Sequence, residues 1–322
     1  MILAGDIGGT KVNLGFFDQH GAELKLLAAT TFSAHRYSCL EDVVRDFVSQ
    51  PRRPVTHACF AVAGPVREGR SHTTNLPWEI DSGSLKEVLQ LPKVDLINDL
   101  EATAYGIALL GPESLLCLNP GKQVPGNRVV IAAGTGLGEG TLYWNGNEHV
   151  PSPSEGGHTE FGPRNDLEIE LLHYLLKKFD HVSYERVVSG PGLRTIYEFL
   201  RDTGQGKEPS WLAEEMEDGD VTASVSRAAL EGKSQLAVDA LDLFASIYGA
   251  EAGNLALKCL ALGGVYVGGG IAPKIQKKLI DGSFMNAFAD KGRFRELMQT
   301  IPVQVILDEK TALKGAARRA VL

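Results

Sequence analysis

The opening stretch MILAGDIGGTKVNLGFFDQHG, residues 1–21, decides how the chain is built. A short apolar run stops at Asp6 and Gly8-Gly9-Thr10, and apolar residues then resume at Val12, Leu14 and Phe16. Such a pattern reads as a strand, a glycine turn and a second strand. A later stretch, VVIAAGTGLGEGTLYWNGN (129–147), repeats the plan. There an apolar strand meets Gly-Thr-Gly, and a second strand runs into an Asn-Gly turn at 145–146. Two copies of one supersecondary unit, roughly 125 residues apart, predict a duplicated architecture with one copy per lobe.

The bulk properties agree with two lobes. At 322 residues the chain exceeds what one ordinary core serves. Hydrophobic residues at 43% and charged residues at 22% describe a globular protein. Net charge is −8, from 32 basic and 40 acidic residues, with no basic run. Nucleic acid and anionic membrane surfaces are therefore excluded as expected partners. A phosphate-bearing ligand would have to be received by backbone N–H groups and a metal ion. Cys39, Cys59, Cys117 and Cys259 are scattered and form no C-x-x-C pair, which suits a reducing compartment. Asp6 interrupts the first apolar run, and the most apolar long stretch, near 252–271, holds Asn254 and Lys258. No signal peptide or membrane span is expected, and a cytoplasmic location is.

Between the copies lie α/β elements. Leu40, Val43, Val44, Phe47 and Val48 recur at helical spacing, while 57–66 and 93–99 read as buried strands. Beyond 150 the chain turns helical. Asn165 with Glu168 resembles a capping box, with Leu172, Leu175, Leu176 and Phe179 as the expected buried stripe. A long helix is predicted over about 235–261, then a short strand at VYVGGGI, a helix from about 273, and a final strand and amphipathic helix.

Several stretches carry chemistry. In GDIGGT (5–10), glycines free backbone N–H groups to form a nest for phosphate oxygens, Thr10 adds a hydroxyl, and Asp6 can face a divalent cation. An ordinary hairpin turn is the plainer reading of the same residues. No G-x-x-x-x-G-K-[ST] is present, and GDIGGT does not open a helix as a dinucleotide fingerprint would. GTGLG (134–138) is the second nest, and SGPGL (189–193) and GGG (268–270) offer side-chain-poor backbone for a nucleoside. Asn75, Glu155, His158 and Glu185 are amide, carboxylate and imidazole groups suited to sugar hydroxyls, each of which both gives and accepts a hydrogen bond, or else lie on a solvated surface. In LINDLEATAYG (96–106), Asn98 and Asp99 stand where a strand meets a helix. Asp99 there is either a helix N-cap or a catalytic base.

GDIGGT, TNLPW, LINDLEATAYG, GTGLG, EGGHTEF, ERVVSGPGL and GGGIAP follow one another as in bacterial glucokinases. The chain resembles the non-ROK branch of that family, within the actin-like sugar-kinase superfamily, over nearly its whole length. The resemblance implies an α/β, two-lobed, actin-like (ribonuclease-H-like) ATPase fold, with duplicated mixed-sheet domains around an active-site cleft. It places a small lobe at 1–108, to which 301–322 returns, and a large lobe at 109–300, with hinges near 107–110 and 300. It further implies ATP- and Mg²⁺-dependent phosphorylation of the glucose 6-hydroxyl, in lobes that close over the substrates, and a homodimer. By the same likeness Asp99 is the catalytic base, and Asn75, Asn98, Asp99, Glu155, His158 and Glu185 bind the sugar. Gly5, Asp6, Ile7, Gly8, Gly9 and Thr10, with Gly134, Thr135 and Gly136, hold the nucleotide phosphates, Asp6 reaching Mg²⁺ through water. Two departures stand out. GHTEFGPRND lacks the zinc-binding cysteines of ROK-type kinases, and Lys11 stands where relatives often carry an uncharged residue. A kinase for another hexose or amino sugar is the alternative. A sugar-sensing regulator is a further one, although only five residues precede Asp6, too few for a DNA-binding module.

Overall fold

The computed structural model describes residues 1–21, 23–49, 53–73 and 76–322. The chain forms two compact units, Met1–Ser114 with Asp308–Leu322, and Leu115–Leu307.

In the first unit, β1 (Ile2–Ile7), β2 (Lys11–His20), β3 (Glu23–Ser33) and β4 (His57–Val62) are followed by a small ribbon of β5 (Arg70–His72) and β6 (Glu79–Asp81), then by β7 (Asp95–Asn98). The main sheet runs β3-β2-β1-β4-β7. The glycine turn folds β2 back antiparallel on β1, whereas β4 and β7 lie parallel to β1. Parallel strands are covered on both faces. Here Leu3 and Ile7 face a core with Leu40, Val43, Val44 and Phe47, and Ile2 and Ala4 face one with Leu313, Ala316 and Ala317. The C-terminal helix Thr311–Arg319 lies against the helix Asp99–Ile107 at glycine distance. A Cβ on Gly106 would overlap the Thr311 carbonyl, and one on Gly315 the Ala102 carbonyl.

The second unit repeats the design. After β8 (Leu115–Asn119) come β9 (Arg128–Ala133), β10 (Leu137–Trp144), β11 (His149–Ser154), β12 (Gly264–Gly268) and β13 (Val303–Ile306). The order is β11-β10-β9-β12-β13-β8. Its first five strands match those of the first unit in order and sense, with β8 added antiparallel. The helix Gln235–Cys259 covers this sheet, with Ala240, Phe244, Ile247 and Tyr248 in one core with Val129, Ile131, Val265 and Val303.

Several expectations need correction. The first boundary falls at 114/115, and the second at 307/308 because β13 pairs with β12 and β8 inside the second sheet. Only residues 308–322 therefore return to the first unit. In the helix Asp166–Leu175 the buried apolar side chains are Leu171 and Leu175, Leu172 and Phe179 pack partly buried against the same core, and Leu176 is exposed. The helix ends at Leu175, four residues short of the end of the expected stripe at Phe179. Asn165 does cap it, accepting the Glu168 N–H at 3.0 Å. The Glu168 carboxylate, however, takes the Arg164 N–H and guanidinium instead of closing a reciprocal box. The helix expected from 273 is two short pieces, Gln276–Leu279 and Ser283–Ala289.

Candidate active site

Strand register assembles the candidate residues of the first unit. Ile7 pairs with Val62, and Val62 with Asn98, so β1, β4 and β7 end side by side. The C-terminal edge of such parallel strands is where α/β sheets present ligand-binding groups. The helix that follows β7 is capped by Asn98, whose Oδ1 accepts the Leu100 N–H at 2.8 Å. Its amide donates to the Gly64 carbonyl at 3.1 Å. Asp99 is thus the first helical residue and not the cap, although its Oδ1 shares the Leu100 N–H at 2.9 Å. Burial raises the Asp99 carboxyl to about 6; the Leu100 N–H opposes the rise and the charge of Asp6 adds to it. A carboxyl near neutrality can exist as an acceptor of protons under working conditions.

Asp6 is also pushed above the usual carboxylate range by burial, against the pull of Asn13. Asn13, its cross-strand partner, donates to Asp6 Oδ2 at 3.1 Å, and is itself held by the Thr31 hydroxyl at 2.8 Å. The GDIGGT stretch divides by role. A Cβ at Gly5 would overlap Phe60, and Ile7 is fully buried, so these two serve the core. The Gly8 N–H is taken by the Lys11 carbonyl at 2.9 Å. Gly9 and Thr10 form the rest of the turn, beside the exposed Lys11.

In the second unit, Gly134, Thr135 and Gly136 make the β9–β10 turn. The Gly134 N–H donates to the Gly136 carbonyl, and the Gly190 N–H to the Gly134 carbonyl, both at 2.8 Å. The Tyr248 hydroxyl, buried beneath, accepts the Ala133 N–H at 3.2 Å. Nearby strand and loop ends converge: the Ile271 N–H reaches the Ala133 carbonyl at 3.2 Å. Thr222 Oγ1 donates to the Gly190 carbonyl at 2.8 Å and also lines a cavity of about 800 Å³. Ala223, Ser226, Ile271, Pro273 and Gln276 line it as well. Its volume suits a nucleoside-sized ligand. Of these residues the sequence flagged Gly134, Thr135, Gly136 and Gly190 and, within GGGIAP, Ile271 and Pro273, but not Thr222, Ala223, Ser226 or Gln276. The helix Val221–Leu230 carries its side of the cavity on ordinary small residues, and the sole signal was its N-cap, Asp220.

The sugar candidates Glu155 and His158 flank one short helical turn, Gly156–His158, and both are exposed. A Cβ at Gly157 would overlap the Leu137 carbonyl, so this turn sits tightly on the start of β10. His158 and Glu185 line one cavity of about 390 Å³, with His181, Ser183 and Arg186. Two backbone hydrogen bonds tie the segments, Phe161 N–H to Val182 and Tyr184 N–H to Thr159, both at 2.9 Å. His181 Nε2 adds a third tie, 2.9 Å from the His158 carbonyl, which the sequence reading missed. Asn75 lies outside the described residues.

The chain matches the glucokinase family model over residues 3–321. It is 43% identical to a glucokinase of Nostoc sp., with 98% of each chain covered. The crystal structure of a glucokinase from an Antarctic psychrotroph superposes with a TM-score of 0.85 at 30% identity, covering 99% of this chain and 98% of that one. A ROK-family glucokinase of Streptomyces griseus, solved with glucose and AMPPNP, shares the fold with a TM-score of 0.65 at 22% identity and 99% coverage of both chains. Duplicated sheets of one topology, a half-buried acid at a strand end and a matching family model over almost every residue leave one assignment: the chain belongs to the glucokinase family, whose reaction is ATP-dependent phosphorylation of glucose.

Proposed function

We propose that Asp99 is the general base that takes the proton of the glucose 6-hydroxyl as that oxygen attacks the γ-phosphorus of ATP. The O6–P bond forms, the bond from phosphorus to the bridging oxygen breaks, and its electron pair leaves with ADP. The single observation behind this reading is the division of labour at the helix start. Asn98 performs the capping, and the carboxyl beside it, which meets the same Leu100 N–H through Oδ1, is raised to about 6 by burial. Phosphoryl transfer proceeds through a loose transition state, so alignment and charge neutralisation carry most of the catalysis.

Glu155, His158 and Glu185 are assigned to the sugar hydroxyls, together with Asn98 and Asn75. Gly9 and Thr10 of the first unit and Thr135 and Gly136 of the second are assigned to phosphate oxygens. The nucleoside is assigned to the cavity beside Thr222 and Ile271. Magnesium fits the donors present. Among the described residues no three His, Cys, Asp or Glu side chains group as a metal site. A cation carried by the nucleotide would meet Asp6 by way of water, as Mg²⁺ commonly does. When bound it would neutralise charge on the phosphates; Asn13 would hold Asp6 in place for it. A homodimer follows from family likeness, and a cytoplasmic location suits four free cysteines. Among the described residues no helix is long and apolar enough to cross a membrane.

The test is a coupled assay of ADP release with glucose, mannose, fructose and glucosamine, each with and without magnesium. Glucose should give the highest kcat/KM, and magnesium removal should abolish turnover. A higher kcat/KM for another sugar would reassign the substrate.

A further inference from the structure

Behind the turn that carries Glu155 and His158 lies a pair of buried acids that phosphoryl transfer does not use. Glu139, on β10, stands opposite Ile131 of β9 and Ser154 of β11 and is 2% exposed. Its Oε2 lies against Gly156, where a Cβ would overlap it. Its Oε1 has no hydrogen-bond partner among the described residues. Glu251, on the helix Gln235–Cys259, is completely buried. Its Oε2 accepts from Asn254 Nδ2 at 2.8 Å, and its Oε1, also without a hydrogen bond, is 3.5 Å from Lys258 Nζ. The same Asn254 amide is 3.0 Å from the hydroxyl of Tyr184, the neighbour of Glu185.

Two ionised carboxyls offer each other only acceptors, and a buried oxygen without a donor is costly. One proton on Glu139 removes both deficits, since Oε1–H can donate to Glu251 and restore an O–H···O⁻ bond. Burial drives the Glu139 carboxyl up to about 8, the charge of Glu251 adds to the rise, and Lys258 opposes it.

We propose that Glu139 is a positioning residue for the sugar: as a neutral acid bonded to Glu251, it braces Gly156 and so holds Glu155 and His158 in place for a hexose. This rests on the reading of Glu155 and His158 as sugar ligands. The other titratable groups around the pair are Lys258, Cys259 and Tyr248 of the long helix, Tyr184 from the 184–186 turn, and Lys291 beyond Asn254. The Tyr184 and Tyr248 phenols and the Cys259 thiol are all pushed up, so they stay neutral while Glu139 loses its proton. Ionised Glu139 repels Glu251, and the support under Gly156 is lost.

The experiment measures KM for glucose and kcat from about pH 6.5 to 9.5 in the parent enzyme and in Glu139→Gln, whose amide still donates but does not titrate. In the parent, KM for glucose should rise about tenfold across pH 8 with kcat changing less than about threefold, while in Glu139→Gln the KM stays flat. An infrared band of a protonated carboxyl should be present in the parent at about pH 7, fade by about pH 9.5, and be missing from the variant. Superimposable KM curves, or the same band in both proteins, would overturn the proposal. Should the variant not fold, the parent alone decides, because a carboxyl band absent at neutral pH removes the shared proton. Glu155→Gln and His158→Ala separate the two readings. If neither raises KM for glucose, the sugar-site assignment fails; if both do while the Glu139→Gln curve superimposes on the parent's, only the role of Glu139 falls.

Discussion

The Glu185 carboxylate accepts the backbone N–H of Leu137 through Oε2 at 3.0 Å. A Cβ on Gly136 would overlap that same oxygen. The turn assigned to phosphate and the carboxylate assigned to sugar therefore share one set of contacts within the second unit. A change in either moves the other.

Gly136→Ala tests this link. The added methyl must displace Glu185, so we expect KM for glucose to rise about tenfold or more, together with a rise in KM for ATP. Steady-state kinetics with each substrate varied in turn would check it. An effect confined to ATP would show that the two groups are independent.

Asp99→Asn should bind glucose with near-normal affinity and lose about 10²-fold or more in kcat, the usual worth of a positioned base. The amide keeps the size of the side chain, and Asn98 still caps the helix. Equilibrium binding of glucose by tryptophan fluorescence, set beside turnover, separates the two effects. Undiminished kcat would return Asp99 to a purely structural role.

Acidity supplies a third check. Asp99 accepts a proton only when ionised, so kcat/KM should fall with decreasing pH along a limb with an apparent pKa of about 6. Burial is the main cause of that value and Asp6 a smaller one that also raises it. Asp6→Asn removes the neighbouring negative charge and should shift the limb to lower pH, whatever its effect on the maximum rate. A limb unmoved by the substitution would show that the two carboxyls do not sense each other.

The cavity beside Thr222 makes a fourth. Ala223 lines it from the first turn of the helix Val221–Leu230. Ala223→Trp keeps the backbone N–H that Asp220 accepts at 3.2 Å, while placing an indole at the cavity wall. KM for ATP should increase about tenfold with glucose binding unaffected. Calorimetric titration with ADP and with glucose would report each separately.

Stability carries the sign of the Glu139 proton. Its carboxyl is raised to about 8 in the fold, so between the ordinary carboxylate range and that value the native state keeps a proton that the unfolded chain has lost. The stabilisation is complete at low pH and declines as pH rises to about 8, with a slope approaching one proton. Glu139→Gln lacks this slope. Denaturant midpoints at several pH values should therefore move in favour of the variant between about pH 5 and 8.

The sequence by itself determined the repeated strand-turn-strand units, because glycine turns between alternating apolar runs are local signals that need no partner. It determined the long helix, expected over about 235–261 and found at Gln235–Cys259, and the strand-to-helix junction at 98–99 for the same reason. It also supplied, through one ordered series of short motifs, the family and the candidate sugar and phosphate residues. Tertiary structure decided which strand edges meet. β8 and β13 pair in the second sheet although nearly the whole unit separates them in sequence, and that pairing moved the second boundary. Capping at Asn98, the use of Gly5 against Phe60, and the facing of Glu139 and Glu251 were equally hidden. Each depends on which atoms lie within a few ångströms across the fold, and hydrogen-bond partners, desolvation and close packing are properties of that proximity, not of spacing along the chain.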